Sequence, residues 1–146
     1  MSSREATPEL AVQATCLRWL GRGLLLRGEP GTGKSDLALR LLEAGAFLVA
    51  DDLVRLERRG DLLIARALAP EGLIEARGQG LFRLPLWPAQ PLHLLVDCSR
   101  APGERLPEPA LETVLGVALP RIALVCCAAS AVARIRLALY GHLSTR

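Results

Sequence analysis

Gly23-Leu24-Leu25-Leu26-Arg27-Gly28-Glu29-Pro30-Gly31-Thr32-Gly33-Lys34-Ser35-Asp36-Leu37-Ala38-Leu39 is the stretch that decides the fold. Its first five residues form a short apolar run suited to a buried strand, and Asp36 to Ala44 is rich in strong helix formers before Gly45 stops it. Between strand and helix, Gly28 to Ser35 completes the pattern G-x-x-x-x-G-K-[ST]. In such a loop the glycines let backbone N–H groups converge on phosphate oxygens. The following helix lends its positive N-terminal end, and the serine hydroxyl ligates magnesium.

The charge pattern supports the same reading. The chain has one lysine and seventeen arginines, and the lysine is Lys34 of the loop. A phosphate cradle needs a compact ammonium on a flexible stem, which arginine does not supply. Gly28, Glu29, Pro30, Gly31, Thr32, Gly33, Lys34 and Ser35 are therefore the expected nucleotide-binding residues.

The chain has 146 residues, is 51% hydrophobic, and shows no charge run or low-complexity stretch. This predicts one domain over 1–146, with a disordered tail over about 1–9. A net charge of +3 with 3% aromatic residues argues against nucleic-acid binding. Cys16, Cys98, Cys126 and Cys127 lack C-x-x-C spacing and histidine companions, so they read as small core residues rather than a zinc site. The start of the chain has no apolar signal segment and no apolar stretch is long enough to span a bilayer. A soluble, reduced, cytoplasmic protein with no membrane association is expected.

Outward from the loop, Leu10 to Leu20 reads as a strand joined in a hairpin to the strand before the loop. Phe47-Leu48-Val49-Ala50 reads as a strand that ends on Asp51-Asp52, and Leu62 to Arg66 as a strand pairing back on Leu53 to Glu57. Leu92 to Val96 and Leu119 to Val125 read as further strands, and Ser99 to Pro109 as a loop. Ser130 is placed to cap a helix over 131–140 that carries Arg134 and Arg136 on its polar side. His93 and His142 are isolated and read as structural or surface residues.

A phosphate loop alone gives binding and leaves the reaction open. The adjacent carboxylates Asp51 and Asp52 are candidates for holding magnesium and for taking a proton from a hydroxyl. Glu75 and Arg77, followed by Gly78 and Gly80, form a weaker candidate group.

Together these blocks resemble the bacterial HPr kinase/phosphorylases, in the short form that keeps only the catalytic domain. The loop is followed by Leu48-Val49-Ala50-Asp51-Asp52 and then by Glu75-Ala76-Arg77-Gly78-Gln79-Gly80, which is similar to the family signature Glu-x-Arg-Gly-x-Gly. The resemblance runs from about Val12 to Leu139.

The resemblance implies an α/β P-loop domain with a mixed sheet, like the nucleotide-binding domain of phosphoenolpyruvate carboxykinase. It implies transfer of phosphate from ATP, with Mg2+, to a serine of the phosphocarrier protein HPr, with removal by phosphorolysis in many members. Ser35 and Glu75 would hold the magnesium, and Asp51 or Asp52 would serve as base. Arg77, Arg105 and Arg121 would stabilise the transferred phosphate or engage the partner. Long members assemble as hexamers, and a homo-oligomer is one of the states left open for this chain.

This chain departs from the family in having Gln13 where members usually place a histidine. An ATP-sensing module without catalysis, and a small-molecule kinase, are the rival functions.

Overall fold

The computed structural model describes residues 7–69, 72–76, 78–99 and 105–141. β1 (Glu9–Trp19) and β2 (Arg22–Arg27) form the expected hairpin, turning at Leu20-Gly21, where both residues have positive φ (53° and 78°). The loop follows, then α1 (Lys34–Glu43). The helix ends where the sequence placed the stop. Gly45 takes φ +102°, its N–H reaches Leu42 O at 3.0 Å, and the Ala46 N–H reaches Leu41 O at 2.9 Å. This pair of bonds satisfies the last carbonyls of the helix.

β3 (Phe47–Arg59) and β4 (Leu62–Ala67) form a second antiparallel pair. β5 (Gly72–Ala76) and β6 (Gly80–Leu84) form a separate two-stranded hairpin. β7 (Gln90–Ser99), β8 (Ala110–Val114), β9 (Val117–Val125) and α2 (Ala131–Tyr140) complete the described chain.

The main sheet runs β2-β1-β3-β4-β7-β9-β8. β7 also pairs with β2 in parallel, so β2, β1, β3, β4 and β7 close into a ring. Closure demands a close approach at Gly23, where any Cβ would run into the carbonyl oxygen of Pro91. The opposing bulge in β7 is His93, whose Nδ1 accepts the Gly23 N–H at 2.9 Å. His93 thus has the structural role its isolation suggested.

The alternation of the buried strands builds two cores. Leu24 and Leu26 face α1 and pack with Leu37, Leu41, Leu48, Leu94 and Ile135. Leu25 faces into the ring with Ala14, Cys16, Val54, Leu56, Leu63 and Leu95. Each such leucine contributes about 1.5–3 kcal/mol by leaving water.

Several expectations change. Asp51 and Asp52 do not end a strand, because β3 continues through them to Arg59. β1 supplies a partner from Glu9↔Glu57 to Arg18↔Phe47, so the pairing carries on past the acids even though Asp52 itself takes a positive φ. β8 was not foreseen. It pairs with β9 across Leu115-Gly116, both at positive φ (49° and 82°). The tail expected over 1–9 lies outside the described residues as far as residue 6, and Glu9 already belongs to β1. Ser130 precedes α2 as expected but makes no capping bond from its side chain. Its hydroxyl instead accepts Arg134 Nε at 2.9 Å, which takes the oxygen away from the helix amides. Arg134 and Arg136 are exposed as expected. His142 lies outside the described residues.

Candidate active site

The loop emerges from the end of β2 and enters α1 at Lys34. Gly28, Gly31 and Gly33 all have positive φ (153°, 86° and 96°), a conformation that Cβ disfavours. At Gly28 the constraint is also spatial, since a Cβ would stand 2.8 Å from Thr32 Oγ1 and 3.0 Å from Cys98 Cβ. Thr32 is buried and ties the loop into a turn. Its amide and its hydroxyl both donate to Glu29 O, at 3.2 and 2.7 Å. Glu29, Pro30 and Gly31 are exposed on the crest, and Ser35 is exposed in the first turn of α1. Among the described residues, no hydrogen bond or ion pair engages the Lys34 ammonium. The helix N-terminus and its lysine are thus presented together at the loop, an arrangement suited to phosphate.

β1 lies between the loop strand and β3, and it brings the acids under control. Thr15 pairs with Leu26 on one side and Asp51 on the other. Its buried hydroxyl donates to Asp51 Oδ1 at 2.7 Å. Asp52 has φ +74°, is exposed, and accepts Gln13 Nε2 at 3.2 Å. Both acids line a hollow of about 330 Å³ with Leu53, Ala67, Leu68 and Ala69. Thr15 was not foreseen as a site residue. Its role depends on the β1–β3 register, 36 residues apart, and no local motif signals it.

Glu75 is exposed on β5 between the inward-facing Ile74 and Ala76. Arg77 lies outside the described residues. Arg105 is exposed in the segment before β8, and Arg121 lies half-buried within β9 rather than in a loop. Ser35, Glu75, Asp51 and Asp52 offer only oxygen donors, the set that suits magnesium.

A second charged group closes the rim. Arg27, the residue before the loop, donates through Nε to Asp97 at 2.8 Å and grips both oxygens of Glu112 at 2.5 and 2.8 Å. The hydrogen bonds from Arg27 hold the Glu112 carboxyl below its ordinary range, and Arg27 itself is raised, most by Glu112. Asp97 ends an apolar run on the strand parallel to β2, a position that often holds magnesium in P-loop proteins. Here its carboxylate is committed to Arg27.

The cysteines differ from expectation. Cys98 and Cys126 form a disulfide with Cα atoms 5.5 Å apart, Cys16 is a buried thiol, and Cys127 is an exposed one. The parallel β7–β9 pairing, with Cys98 opposite Leu124, brings together two cysteines 28 residues apart, which C-x-x-C spacing cannot reveal. Burial within the ring pushes the Cys16 thiol far up, consistent with the core role expected for it. Beside Cys127 lies a largely apolar hollow of about 410 Å³, lined also by Leu106, Leu124, Ser130 and Arg134.

Mixed sheet, phosphate loop and adjoining carboxylates define an α/β P-loop domain. The family model described as the HPr Serine kinase C-terminal domain matches residues 4–85, and the chain belongs to that family. It is 42% identical over 81 residues to the HPr kinase/phosphorylase of Cupriavidus necator, covering 54% of this chain and 25% of that protein. It is 34% identical over 133 residues to the HPr kinase/phosphorylase of Burkholderia cenocepacia, covering 82% and 41%. The chain thus spans well under half the length of these relatives. The HPr(Ser) kinase/phosphatase structure from Coxiella burnetii superposes with a TM-score of 0.72 at 24% identity, covering 90% of this chain and 93% of that one, and it shares the fold. Among the described residues no helix is long and apolar enough to cross a membrane.

Proposed function

We propose that this chain is an ATP- and Mg2+-dependent protein serine kinase acting on an HPr-type phosphocarrier protein, with phosphorolysis, in which inorganic phosphate attacks the phosphoserine phosphorus and leaves as pyrophosphate while the serine oxygen takes back a proton, as a second reaction of the same site. One observation carries the reading. The Lys34 loop and the Asp51–Asp52 pair stand on three neighbouring strands, with Thr15 paired to Leu26 of the strand that enters the loop and to Asp51.

In the forward direction the loop amides and Lys34 hold the β- and γ-phosphates of ATP. A carrier serine enters the hollow beside Asp51, Asp52, Leu53 and Leu68. One carboxylate of the pair takes the hydroxyl proton as the serine oxygen attacks the γ-phosphorus in line and ADP leaves. Ser35 and Glu75 would hold magnesium, which supplies charge neutralisation at the phosphates. Arg77, Arg105 and Arg121 are assigned to the transferred phosphate or the partner. The apolar hollow at Cys127 and Arg134 offers room for the nucleoside. We further propose a single catalytic domain over 1–146, working in the cytoplasm.

The test is incubation of the chain with γ-labelled ATP, Mg2+ and the HPr-type carrier, with serine phosphorylation read by mass spectrometry and a serine-to-alanine carrier as control. Label on that serine is the expected result. ATP binding without label would overturn the kinase reading in favour of an ATP-sensing module, and label on free metabolites alone would favour a small-molecule kinase.

A further inference from the structure

The Cys98–Cys126 disulfide sits directly beneath the phosphate loop, although phosphate binding has no chemical use for it. Cys98 stands near the end of β7 and Cys126 just after β9. A Cβ on Gly28 would lie 3.0 Å from Cys98 Cβ, and one on Gly33 would lie 3.6 Å from Cys126 Cβ and 3.7 Å from the Cys127 nitrogen. The first glycine of the loop therefore rests on one half-cystine and the last on the other. From the helix side, Arg40 donates to the carbonyls of Cys126 and Ala128. The segment that carries Cys126 thus anchors both the loop and α1.

We propose that this disulfide is a redox switch of the nucleotide site, holding the loop in its phosphate-binding shape when closed and weakening nucleotide binding when reduced. The inference rests on the nucleotide-binding role proposed above. A disulfide holds its sulfurs about 2 Å apart, whereas non-bonded heavy atoms settle at about 3.5–4.0 Å. Cys126 is fully buried and Cys98 packs against the core beneath α1, so little free space exists for that separation. The displaced groups are the ends of β7 and β9 and the glycines resting on them.

The reductant is a dithiol. One of its thiolates attacks the half-buried Cys98 sulfur, forming a mixed disulfide and releasing Cys126 as a thiolate that takes a proton. The second dithiol sulfur then attacks the mixed disulfide, freeing the Cys98 thiol and closing the reductant's own ring. Two electrons and two protons pass from the dithiol to the Cys98–Cys126 pair, and an oxidised dithiol reverses the transfer. In a reducing compartment such disulfides form transiently and act as sensors.

The test titrates the whole chain with a fluorescent ATP analogue after equilibration with oxidised or reduced dithiothreitol, with thiol state read by alkylation and mass spectrometry. The oxidised chain should protect Cys98 and Cys126 from alkylation and bind the analogue roughly fivefold or more tightly than the reduced chain. A Cys98→Ser variant, its fold checked by circular dichroism, should bind like the reduced form under both conditions. The wild-type comparison stands without it.

Equal, saturable binding by the verified oxidised and reduced chains overturns the switch alone, as does failure of the disulfide to form. No binding in either state overturns the nucleotide reading together with the switch.

Discussion

The Thr15 hydroxyl donates to Asp51 Oδ1 at 2.7 Å from a fully paired position on β1, whereas Gln13 reaches Asp52 at 3.2 Å from an exposed one. The two acids are therefore unequally held. A buried bond fixes orientation, and an exposed bond of that length competes with water. Thr15→Val, which keeps the shape and removes the donor, should lower kcat for carrier phosphorylation by about tenfold. Gln13→Ala should change it by less than about threefold. Steady-state kinetics on the two variants checks the ranking, and the reverse order would show that Asp52 is the better-positioned acid.

Lys34 has no partner among the described residues, so its removal should cost little stability. Lys34→Ala should leave thermal unfolding within about 0.5 kcal/mol of the parent while abolishing label transfer from ATP. Retained transfer would contradict the assigned role of the loop, and a large loss of stability would show that the lysine is structural.

Arg27 is a packing and charge hub at the rim. Arg27→Met leaves Asp97 and Glu112, each about a third exposed, without their cation. We expect a loss of about 1–2 kcal/mol at neutral pH, discounted for solvent screening. Because Arg27 lowers the Glu112 pKa in the folded chain, this contribution is present above the ordinary value of 4.5 and is lost as pH falls below it. Denaturant unfolding of parent and variant should therefore converge at acid pH.

His93 predicts a different pH window. Burial, followed by the charge of Arg22, lowers its folded pKa, and its Nδ1 must stay unprotonated to accept the Gly23 N–H. Protons then bind the unfolded chain preferentially. This contribution is full above the ordinary value of 6.5 and declines as pH falls below it. The melting temperature should drop between about pH 6.5 and 5, and His93→Asn should flatten that slope while lowering stability at pH 8. A wild-type melting temperature unchanged over that range would contradict the assigned hydrogen bond.

The legible part of the site was the contiguous part. Gly28 to Ser35, the strand before them and the helix after them act within a few residues of one another, so spacing and propensity fixed their structure, down to the stop at Gly45. The Asp51–Asp52 pair was visible as chemistry, but its placement in mid-strand was not. Nothing near Asp51 announces that β1 runs alongside β3 as far as Glu57. β8 was missed because its edge strand carries no strong apolar run, and its signal was the short turn Leu115-Gly116.

By itself the sequence determined a phosphate loop joined to its helix, two acids downstream, and a leucine-rich pair of strands on which to build a sheet. The tertiary structure decided which hydroxyl holds Asp51, how Arg27 gathers Asp97 and Glu112, that β7 closes the ring against β2, and that Cys98 meets Cys126 beneath the loop. The division follows from sequence distance. Turn and helix chemistry is settled by neighbours, whereas these contacts join residues 28 to 85 positions apart and exist only once strand register is set.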